Sequence, residues 1–364
     1  MSSADRDRRI VRSLCEWFAR ERRDLPWRSV GASGRRDPYR SLVSELMLQQ
    51  TQVARVVEKF GPFIERFPTV HDLASAPIDD VLAMWSGLGY YRRARSLHRC
   101  AQEIVDRFGS VPEDPEDLVT LPGIGRYTAG AIASIVFDRA AAIVDGNVQR
   151  VLLRIEGDDL QAGSREADAV CWDRAERLVG VASRSRAAGV SAGVFNEAMM
   201  ELGALVCTPG APSCERCPLS GVCRARREGS QHRIPRPKAT GSKKTLHMAS
   251  LVVRDERGRL LVERRPDAGL WPRIWQPPTL ESEEQIRKSA VAKHFGVASS
   301  SLIRQDALPW ETTHRSVRIV VYASDCAPPE APGREWVSPA ALSRRALGTP
   351  QRRMLLGETD GDGR

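Results

Sequence analysis

The sequence lacks any apolar run long enough to span a bilayer, so no transmembrane helix is expected. It also lacks an apolar leader, because residues 1–10 are polar and rich in arginine, and this argues against a secretory signal. We therefore expect a cytoplasmic protein with no membrane partner.

An even distribution of cysteines is lacking too. Four of the eight lie between Cys207 and Cys223, and the other four stand singly elsewhere in the chain. A small disulfide scaffold would not show this distribution in a chain of 364 residues. A metal site in the cysteine-rich segment is the better interpretation.

Positive charge, by contrast, is abundant. The formal net charge is +9, with a sequence pI near 9.4, which favours a polyanionic partner. Eight Lys/Arg and one acid lie between Arg224 and Lys244, so this segment holds much of the excess. It is either a solvated linker or a connector that lies beside phosphates.

Length and composition indicate a globular protein of two or three domains, with 41% hydrophobic and 28% charged residues. Residues 1–223 show apolar positions at helical spacing between Gly and Pro breaks, which predicts an all-α domain. Residues 224–244 then form a basic linker, 245–347 an α+β domain and 348–364 a tail that is disordered from 357 onward. The helical segments predicted in the first domain are Val11–Arg20, Pro38–Phe60, Asp79–Trp85, Tyr91–Phe108, Tyr127–Phe137 and Phe195–Cys207.

In the second domain, Ala249–Arg254 and Arg259–Arg264 are short apolar runs on either side of a turn, which predicts a hairpin. Ser316–Ala323 is a further predicted strand. Glu283–Phe295 is a predicted helix with Ser282 as its N-cap.

The cysteine-rich segment has the spacing Cys207-x6-Cys214-x2-Cys217-x5-Cys223. Thiolates so close together on a turn-rich loop can converge on a soft metal centre, either iron–sulfur or zinc. Zinc sites usually pair their cysteines as two C-x2-C knuckles, and only one such pair is present. No ligand position is left open, so we expect a structural role.

Residues 121–130, LPGIGRYTAG, look like a helix–hairpin–helix. Gly123 and Gly125 would let backbone N–H groups approach a phosphate, and the helix that follows adds a favourable dipole. Such contacts position DNA without reading its sequence. The alternative is a tight helical turn with no ligand.

Two acids are candidates for catalysis. Glu45 lies among Leu42, Leu46 and Leu48, so it is either solvated or buried with a raised pKa that lets it hold a proton near neutral pH. Asp145 precedes a predicted helix, where it can cap the helix or stabilise positive charge that develops on a sugar.

Taken together and in this order, these motifs resemble the MutY-type adenine DNA glycosylases of the helix–hairpin–helix, endonuclease III-like superfamily. The resemblance covers about 220 N-terminal residues and extends more faintly into the C-terminal domain. It implies a [4Fe–4S] cluster on the four spaced cysteines, Glu45 as the acid that protonates adenine, and Asp145 as the carboxylate that stabilises the sugar cation. Tyr127 and Asn147 would line the reacting sugar.

The position of Tyr127 bears on the reaction type. Members of the superfamily that also cut the strand carry a lysine there, whose amine attacks the sugar. A phenol cannot form a Schiff base, so we expect a monofunctional glycosylase.

The resemblance assigns further residues to recognition. Trp27 and Arg28, in Leu25-Pro26-Trp27-Arg28, and Glu197 would form the wall of the adenine pocket. Gln50, Thr51, Leu88 and Tyr90 would probe the opposite strand at the lesion. From the pattern alone, Trp27 and Tyr90 could equally be core aromatics.

Residues 270–278 resemble a loop of the Nudix-like domain of MutY proteins. The R-E-x-x-E-E core of Nudix hydrolases is lacking, so nucleotide hydrolysis is not expected. The family contacts 8-oxoguanine partly through an F-S-H loop, which reads Thr312-Thr313-His314 here. Thr313 and His314 therefore remain candidates for lesion contact, although the phenylalanine is replaced.

The resemblance thus implies a monomeric, base-flipping enzyme of base excision repair, associated with the nucleoid if its source is bacterial. Its partner would be double-stranded DNA that carries adenine opposite 8-oxoguanine or, more weakly, opposite guanine. Two alternatives stay open: an endonuclease III-type pyrimidine glycosylase/lyase, and a non-catalytic DNA-binding module that senses redox state through the cluster.

Overall fold

The computed structural model describes residues 2–31, 34–238, 243–312 and 314–358. Contacts divide the chain into two units, the first made of residues 1–75 and 96–240 and the second of 76–95 and 241–364. None of the helices in the described ranges has both the length and the apolar character needed to cross a membrane.

The helices and strands are numbered along the chain. The helices are α1 (Ser3–Glu21), α2 (Pro38–Leu48), α3 (Val53–Arg66), α4 (Val70–Ser75), α5 (Ile78–Met84), α6 (Arg92–Arg107), α7 (Pro115–Val119), α8 (Arg126–Phe137), α9 (Gly146–Glu156), α10 (Arg165–Ser183), α11 (Ala192–Leu205), α12 (Arg224–Arg227), α13 (Lys288–Phe295), α14 (Pro339–Leu342) and α15 (Thr349–Leu356). The strands are β1 (Lys244–Val253), β2 (Leu260–Arg264), β3 (Trp275–Gln276), β4 (Thr279–Ser282), β5 (Ile303–Glu311), β6 (Arg315–Ser324) and β7 (Arg334–Val337).

The first unit is helical, and its core lies where α1, α8, α9, α10 and α11 pack together. Leu14 and Phe18 of α1 are buried there with Leu153 of α9 and Phe195 of α11. Side-chain caps fix where several of these helices begin, because an N-cap oxygen satisfies a backbone N–H that the helix itself cannot bond. Among the described helices of the first unit, the residues that cap in this way are Ser2, Asp37, Asp114, Asp145, Ser164 and Ser191.

The predicted helix Pro38–Phe60 is wrong in its length. It breaks into α2 and α3 across residues 49–52, where Gln50 has a φ of 56°. A left-handed residue cannot continue a right-handed helix, so the chain turns at this point. The long helix α10 was not predicted, because charged residues interrupt its apolar positions.

The basic segment 224–244 is not a free linker along its whole length. Residues Arg224–Arg227 form α12, and Ala225 and Ile234 are buried in the first unit. The predicted tail 348–364 likewise contains α15, whose Leu355 packs into a core cluster of the second unit. Burial of these apolar side chains explains why α12, Ile234 and α15 are packed onto their units.

The second unit contains one sheet with the strand order β4-β1-β6-β5 and another with the order β3-β2-β7. β1 and β6 run parallel, from the pair Lys244–Arg315 to the pair Val253–Ser324, and β6 confirms the predicted strand. The predicted hairpin is confirmed only next to its turn, where Asp255 and Arg259 close the turn and Arg254 pairs antiparallel with Leu260. Beyond that bridge, β1 and β2 belong to different sheets. The predicted helix at 283 begins only at Lys288, because Ser282 pairs with His247 at the end of β4.

The second unit also includes residues 76–95, which the sequence pattern placed in the first domain. Ser86 Oγ and Tyr91 OH both donate to the carbonyl of Leu347, at 2.8 and 2.7 Å. Arg95 donates to the carbonyl of Pro272 at 3.1 Å. These bonds join residues more than 170 positions apart, which no local pattern reveals.

Candidate active site

A cavity of about 560 Å³ lies within the first unit, bounded by α2, α8, α11, the start of α9 and a short 3₁₀ turn at Pro26–Arg28. Its volume is in the range of small-molecule sites in proteins. Of the predicted site residues, those that line it are Trp27, Arg28, Glu45, Gln50, Thr51, Tyr127, Asp145, Asn147 and Glu197. Residues that come from five separate parts of the chain are thus brought to one place.

Glu45 lies on α2 and is half-buried, so it is not the solvated residue that the pattern allowed. Burial raises the pKa of its carboxyl group from 4.5 to about 7. The negative charges of Glu197 and Asp145 also raise it, whereas the hydrogen bond from Tyr127 and the charge of Arg36 lower it. Glu45 can therefore hold a proton at neutral pH, as a general acid requires.

Asp145 both caps a helix and lines the cavity, so the two predicted roles are compatible. As the N-cap of α9, its Oδ1 accepts from the backbone N–H of Val148 at 2.7 Å, and its Oδ2 accepts from Asn147 Nδ2 at 3.2 Å. Burial raises its pKa, and these hydrogen bonds oppose the rise because they favour the charged form. The carboxylate is thereby held in one orientation at the helix N-terminus.

Tyr127, on α8, lies beside the acid. Its hydroxyl is 3.3 Å from Glu45 Oε2 and 3.0 Å from the sulfur of Met200, so one proton serves two acceptors. Burial, followed by the nearby carboxylates, raises the pKa of the phenol well above its usual value. Tyr127 is therefore a neutral donor at any physiological pH.

A cluster of charged side chains forms one wall of the cavity. Glu201 accepts five hydrogen bonds, from the backbone and side chain of Arg23 and from Arg28. Although burial raises its pKa, these bonds lower it to about 2. Glu197 accepts from Arg28 at 3.1 Å and from both terminal nitrogens of Arg36, at 2.9 and 2.6 Å. Arg23, Arg36 and Glu201 were not predicted, because their partners lie more than 160 residues away.

Trp27 is both a core aromatic and a cavity residue. It is buried, and its ring meets Phe60 edge-on with centroids 5.6 Å apart. Gln50 and Thr51 lie at the break between α2 and α3, and Gln50 is exposed.

The remaining predicted strand probes lie in the second unit. Tyr90 is 47% exposed with a φ of 48°, so it is a surface residue of a glycine-containing loop and not part of a core. Leu88 is only 4% exposed, and its contact with DNA stays a prediction. His314 lies between β5 and β6 and is exposed, and the backbone N–H of Arg315 donates to Thr312 Oγ1 at 2.9 Å. Thr313 lies outside the described residues.

The predicted helix–hairpin–helix consists of α7, a turn and α8. Gly123 has a φ of 80°, and a Cβ there would lie 2.5 Å from Ser96 Cβ, so the fold itself requires glycine. Gly125 is the N-cap of α8 and faces open space. Both glycines are exposed, which leaves their backbone accessible to a ligand.

All four spaced cysteines line one small cavity beside α9. In the described part of the chain, however, no three His, Cys, Asp or Glu side chains lie close enough to share a single metal ion. Four thiols around a common space are the soft donor set that an iron–sulfur cluster requires.

Two arginines of α9 connect this loop with the cavity. Arg150 donates to the carbonyl of Cys207 at 2.7 Å and to Asn147 Oδ1 at 2.7 Å. Arg154 donates to Cys207 Sγ at 3.3 Å. The cysteine loop thus supports the helix that carries Asp145.

Comparison with known families agrees with this architecture. A family model described as HhH-GPD superfamily base excision DNA repair protein matches residues 43–177, and a NUDIX domain model matches residues 249–357. A solved structure of a thermostable thymine-DNA glycosylase matches with a TM-score of 0.53 and 26% identity, over 62% of this chain and 100% of that chain. The predicted fold class, a helical glycosylase domain followed by a Nudix-like domain, is confirmed.

Curated relatives match the chain at higher sequence identity. The adenine DNA glycosylase of Rattus norvegicus is 45% identical over 228 residues, which are 61% of this chain and 43% of the relative. That of Buchnera aphidicola subsp. Schizaphis graminum is 33% identical over 285 residues, which are 76% of this chain and 78% of the relative. The chain spans about two fifths of the length of the mammalian relatives it matches.

Proposed function

The chain belongs to the adenine DNA glycosylase family, and from this premise we propose that it removes adenine from duplex DNA by hydrolysing the N-glycosidic bond. The observation that carries the proposal is the pair of carboxyl groups on one cavity, with the pKa of Glu45 at about 7 and Asp145 oriented by two hydrogen bonds. Two carboxyls in different environments can divide acid catalysis from charge stabilisation.

In this mechanism the DNA is bent and the adenine nucleotide is flipped into the cavity. Protonated Glu45 gives its proton to N7 of the base. The bond between C1′ and N9 then breaks heterolytically, its electron pair leaves with the base, and adenine departs as a neutral molecule. Glu45, now a carboxylate, can accept a proton from the water that adds to C1′.

Asp145 stabilises the positive charge that the sugar carries between these steps. Its two hydrogen-bond donors, Asn147 Nδ2 and the backbone of Val148, hold the carboxylate in place and need not reorganise when the charge appears. Tyr127 and Asn147, which line the same cavity as this carboxylate, would contact the sugar.

Adenine would be held between Trp27 and the charged wall. Glu197 accepts three N–H groups from two arginines, and a carboxylate offers about four acceptor positions. One position is thus left for the exocyclic amine of adenine. A 6-oxo purine would place an acceptor against this carboxylate and be disfavoured.

We further propose that the preferred substrate carries 8-oxoguanine opposite the adenine, with guanine as a weaker alternative. Gln50 and Thr51 would contact the opposite strand from the first unit, and Tyr90 from the second. His314 and Thr313 would contact the oxidised base. The exposure of Gln50, Tyr90 and His314 is compatible with these roles.

The enzyme would be monofunctional. Tyr127 supplies a neutral phenol where a lyase needs an amine, so no Schiff base with the sugar can form. Cys207, Cys214, Cys217 and Cys223 would hold a [4Fe–4S] cluster, which when bound supplies structural support for the loop.

Single-turnover assays on duplexes with adenine opposite 8-oxoguanine, guanine, cytosine and thymine test the proposal. We expect adenine release that is fastest opposite 8-oxoguanine and a loss of about 100-fold or more in Glu45→Gln. Equal release by the two proteins would refute the role of Glu45. Strong borohydride trapping on abasic DNA would instead favour the pyrimidine glycosylase/lyase, and no base release at all would favour a non-catalytic DNA-binding module.

A further inference from the structure

The segment after the cysteine loop is fixed to the first unit. Residues 232–238, HRIPRPK, here termed the basic arm, contain three Lys/Arg, one His and no acid. Arg154 Nε donates to the carbonyl of Ile234 at 2.7 Å, and Ile234 is buried. Arg236 exchanges backbone hydrogen bonds with Leu160 and Ala162, at 2.9 and 2.8 Å. The arm is therefore positioned before any ligand arrives.

The basic arm lines a second cavity, of about 770 Å³, which adjoins the active site. The cavity lies between the arm, the loop at Ala162–Gly163 and the start of α9. Asp145 and Gly146 line this cavity as well as the first one. The two cavities thus meet at the residue that would face the reacting sugar.

Charge in the second cavity is positive and accessible. The side chains of Arg233 and Arg236 are 69% and 58% exposed. Within the described residues, their guanidinium groups pair only with Asp159, at the long distances of 3.4 and 3.6 Å. Of the two acids that line the cavity, Asp168 accepts from Gln149 at 2.6 Å, and Asp145 accepts from Val148 and Asn147. Most of the N–H donors of the two arginines remain available.

We propose that the basic arm binds the phosphodiester backbone of the strand that carries the flipped nucleotide. The inference rests on the proposed function, because it takes Asp145 as the position of the sugar. With the base in the first cavity, the phosphates attached to that sugar must leave on its other side. The second cavity shares Asp145 and Gly146 with the first and is lined by the cationic side chains of the basic arm. Such contacts add affinity and fix register without reading sequence.

The test measures binding of an uncleavable duplex, with a tetrahydrofuran abasic analogue opposite 8-oxoguanine, over a series of salt concentrations. We expect Arg233→Gln/Arg236→Gln to raise the Kd roughly tenfold at low salt and to make the slope of log K against log salt shallower by about 1 to 2. The matched control is Arg8→Gln/Arg12→Gln. These two arginines are 65% and 74% exposed, each pairs with an acid, and both lie on α1, away from either cavity lining.

Position is tested by replacing single phosphates of the abasic strand with neutral methylphosphonates. If the arm binds a phosphate next to the lesion, one replacement there should weaken DNA binding by the wild-type protein and leave DNA binding by the arm variant unchanged. The inference would be overturned if the arm variant kept the wild-type slope of log K against log salt, or if the control variant lost as much affinity as the arm variant. It would also be overturned if no single methylphosphonate removed the difference in affinity between the wild-type protein and the arm variant. Adenine release by the wild-type protein is measured in parallel, so a failure of the proposed function itself is seen separately.

Discussion

The pKa of Glu45 makes a quantitative prediction about the pH dependence of base excision. If the rate follows the protonated fraction of an acid with a pKa of about 7, it should be near its plateau at pH 6 and lower by about tenfold at pH 8. A glutamate with an ordinary pKa of about 4.3 would lose about 100-fold over the same interval and show no plateau. Bound DNA adds negative charge, which can only move the midpoint upward.

The assay is single-turnover adenine release with the enzyme in excess, measured from pH 5 to pH 9 at constant ionic strength. Glu45→Gln is the first variant, and we expect its rate to be low and nearly independent of pH over this range. Tyr127→Phe keeps the acid but removes the hydrogen bond that lowers its pKa. Its midpoint should therefore lie above that of the wild-type protein.

Two results would refute this reasoning. One is a wild-type rate that declines tenfold per pH unit from pH 5 onward, since that is the profile of an unperturbed carboxyl group. The other is a Tyr127→Phe midpoint that moves to lower pH, because the phenol then would not be a donor to the ionised acid.

Three further predictions concern residues around the same site. Burial makes the folded state bind the Glu45 proton more tightly than the unfolded chain does, so the wild-type protein loses stability as pH rises from about 4.5 through 7. Relative to the wild-type protein, Glu45→Gln should therefore gain less than about 1 kcal/mol of unfolding free energy at pH 5 and up to about 3 kcal/mol at pH 8, measured by urea unfolding. A difference that does not change with pH would contradict the raised pKa. Gly123→Ala should destabilise the fold by about 1–3 kcal/mol, because Gly123 has a positive φ and an added Cβ would contact Ser96. Gly125→Ala should change thermal stability little, because Gly125 has a φ of −95° and open space around it. Equal effects of the two substitutions would show that the turn geometry is not the cause. Arg36→Gln removes a positive charge that lowers the pKa of Glu45, so the midpoint of the variant's pH–rate profile should lie above the wild-type midpoint. An unchanged midpoint would exclude this electrostatic influence of Arg36.

Features encoded by local spacing were predictable from the sequence. The glycines of residues 121–130 and the spaced cysteines each lie within a short stretch, and both motifs were recognised there. β6 was predicted from its run of β-branched residues. The break at Gln50 and the late start of α13 were missed, because they depend on a single backbone angle and on strand pairing by Ser282.

Features that depend on distant partners were not predictable. The pairing of Arg36 with Glu197 spans 161 residues, and that of Arg23 with Glu201 spans 178. Neither arginine has a neighbour in sequence that marks it as buried or paired. The burial of Leu88, at 4% exposed, likewise has no signal in its local sequence.

The distribution of donors explains how carboxyl groups on one cavity can hold different charges. Glu201 accepts five N–H groups, four of them from guanidinium groups, and its pKa is lowered to about 2 in spite of burial. Asp145 accepts a backbone and an amide N–H, neither of them charged. Among the residues that the structure describes, Glu45 accepts a hydrogen bond only from the phenolic hydroxyl of Tyr127, and its pKa rises to about 7. A buried carboxylate persists only where donors replace its lost water, so the acid in this cavity is the carboxyl group with the weakest set of donors.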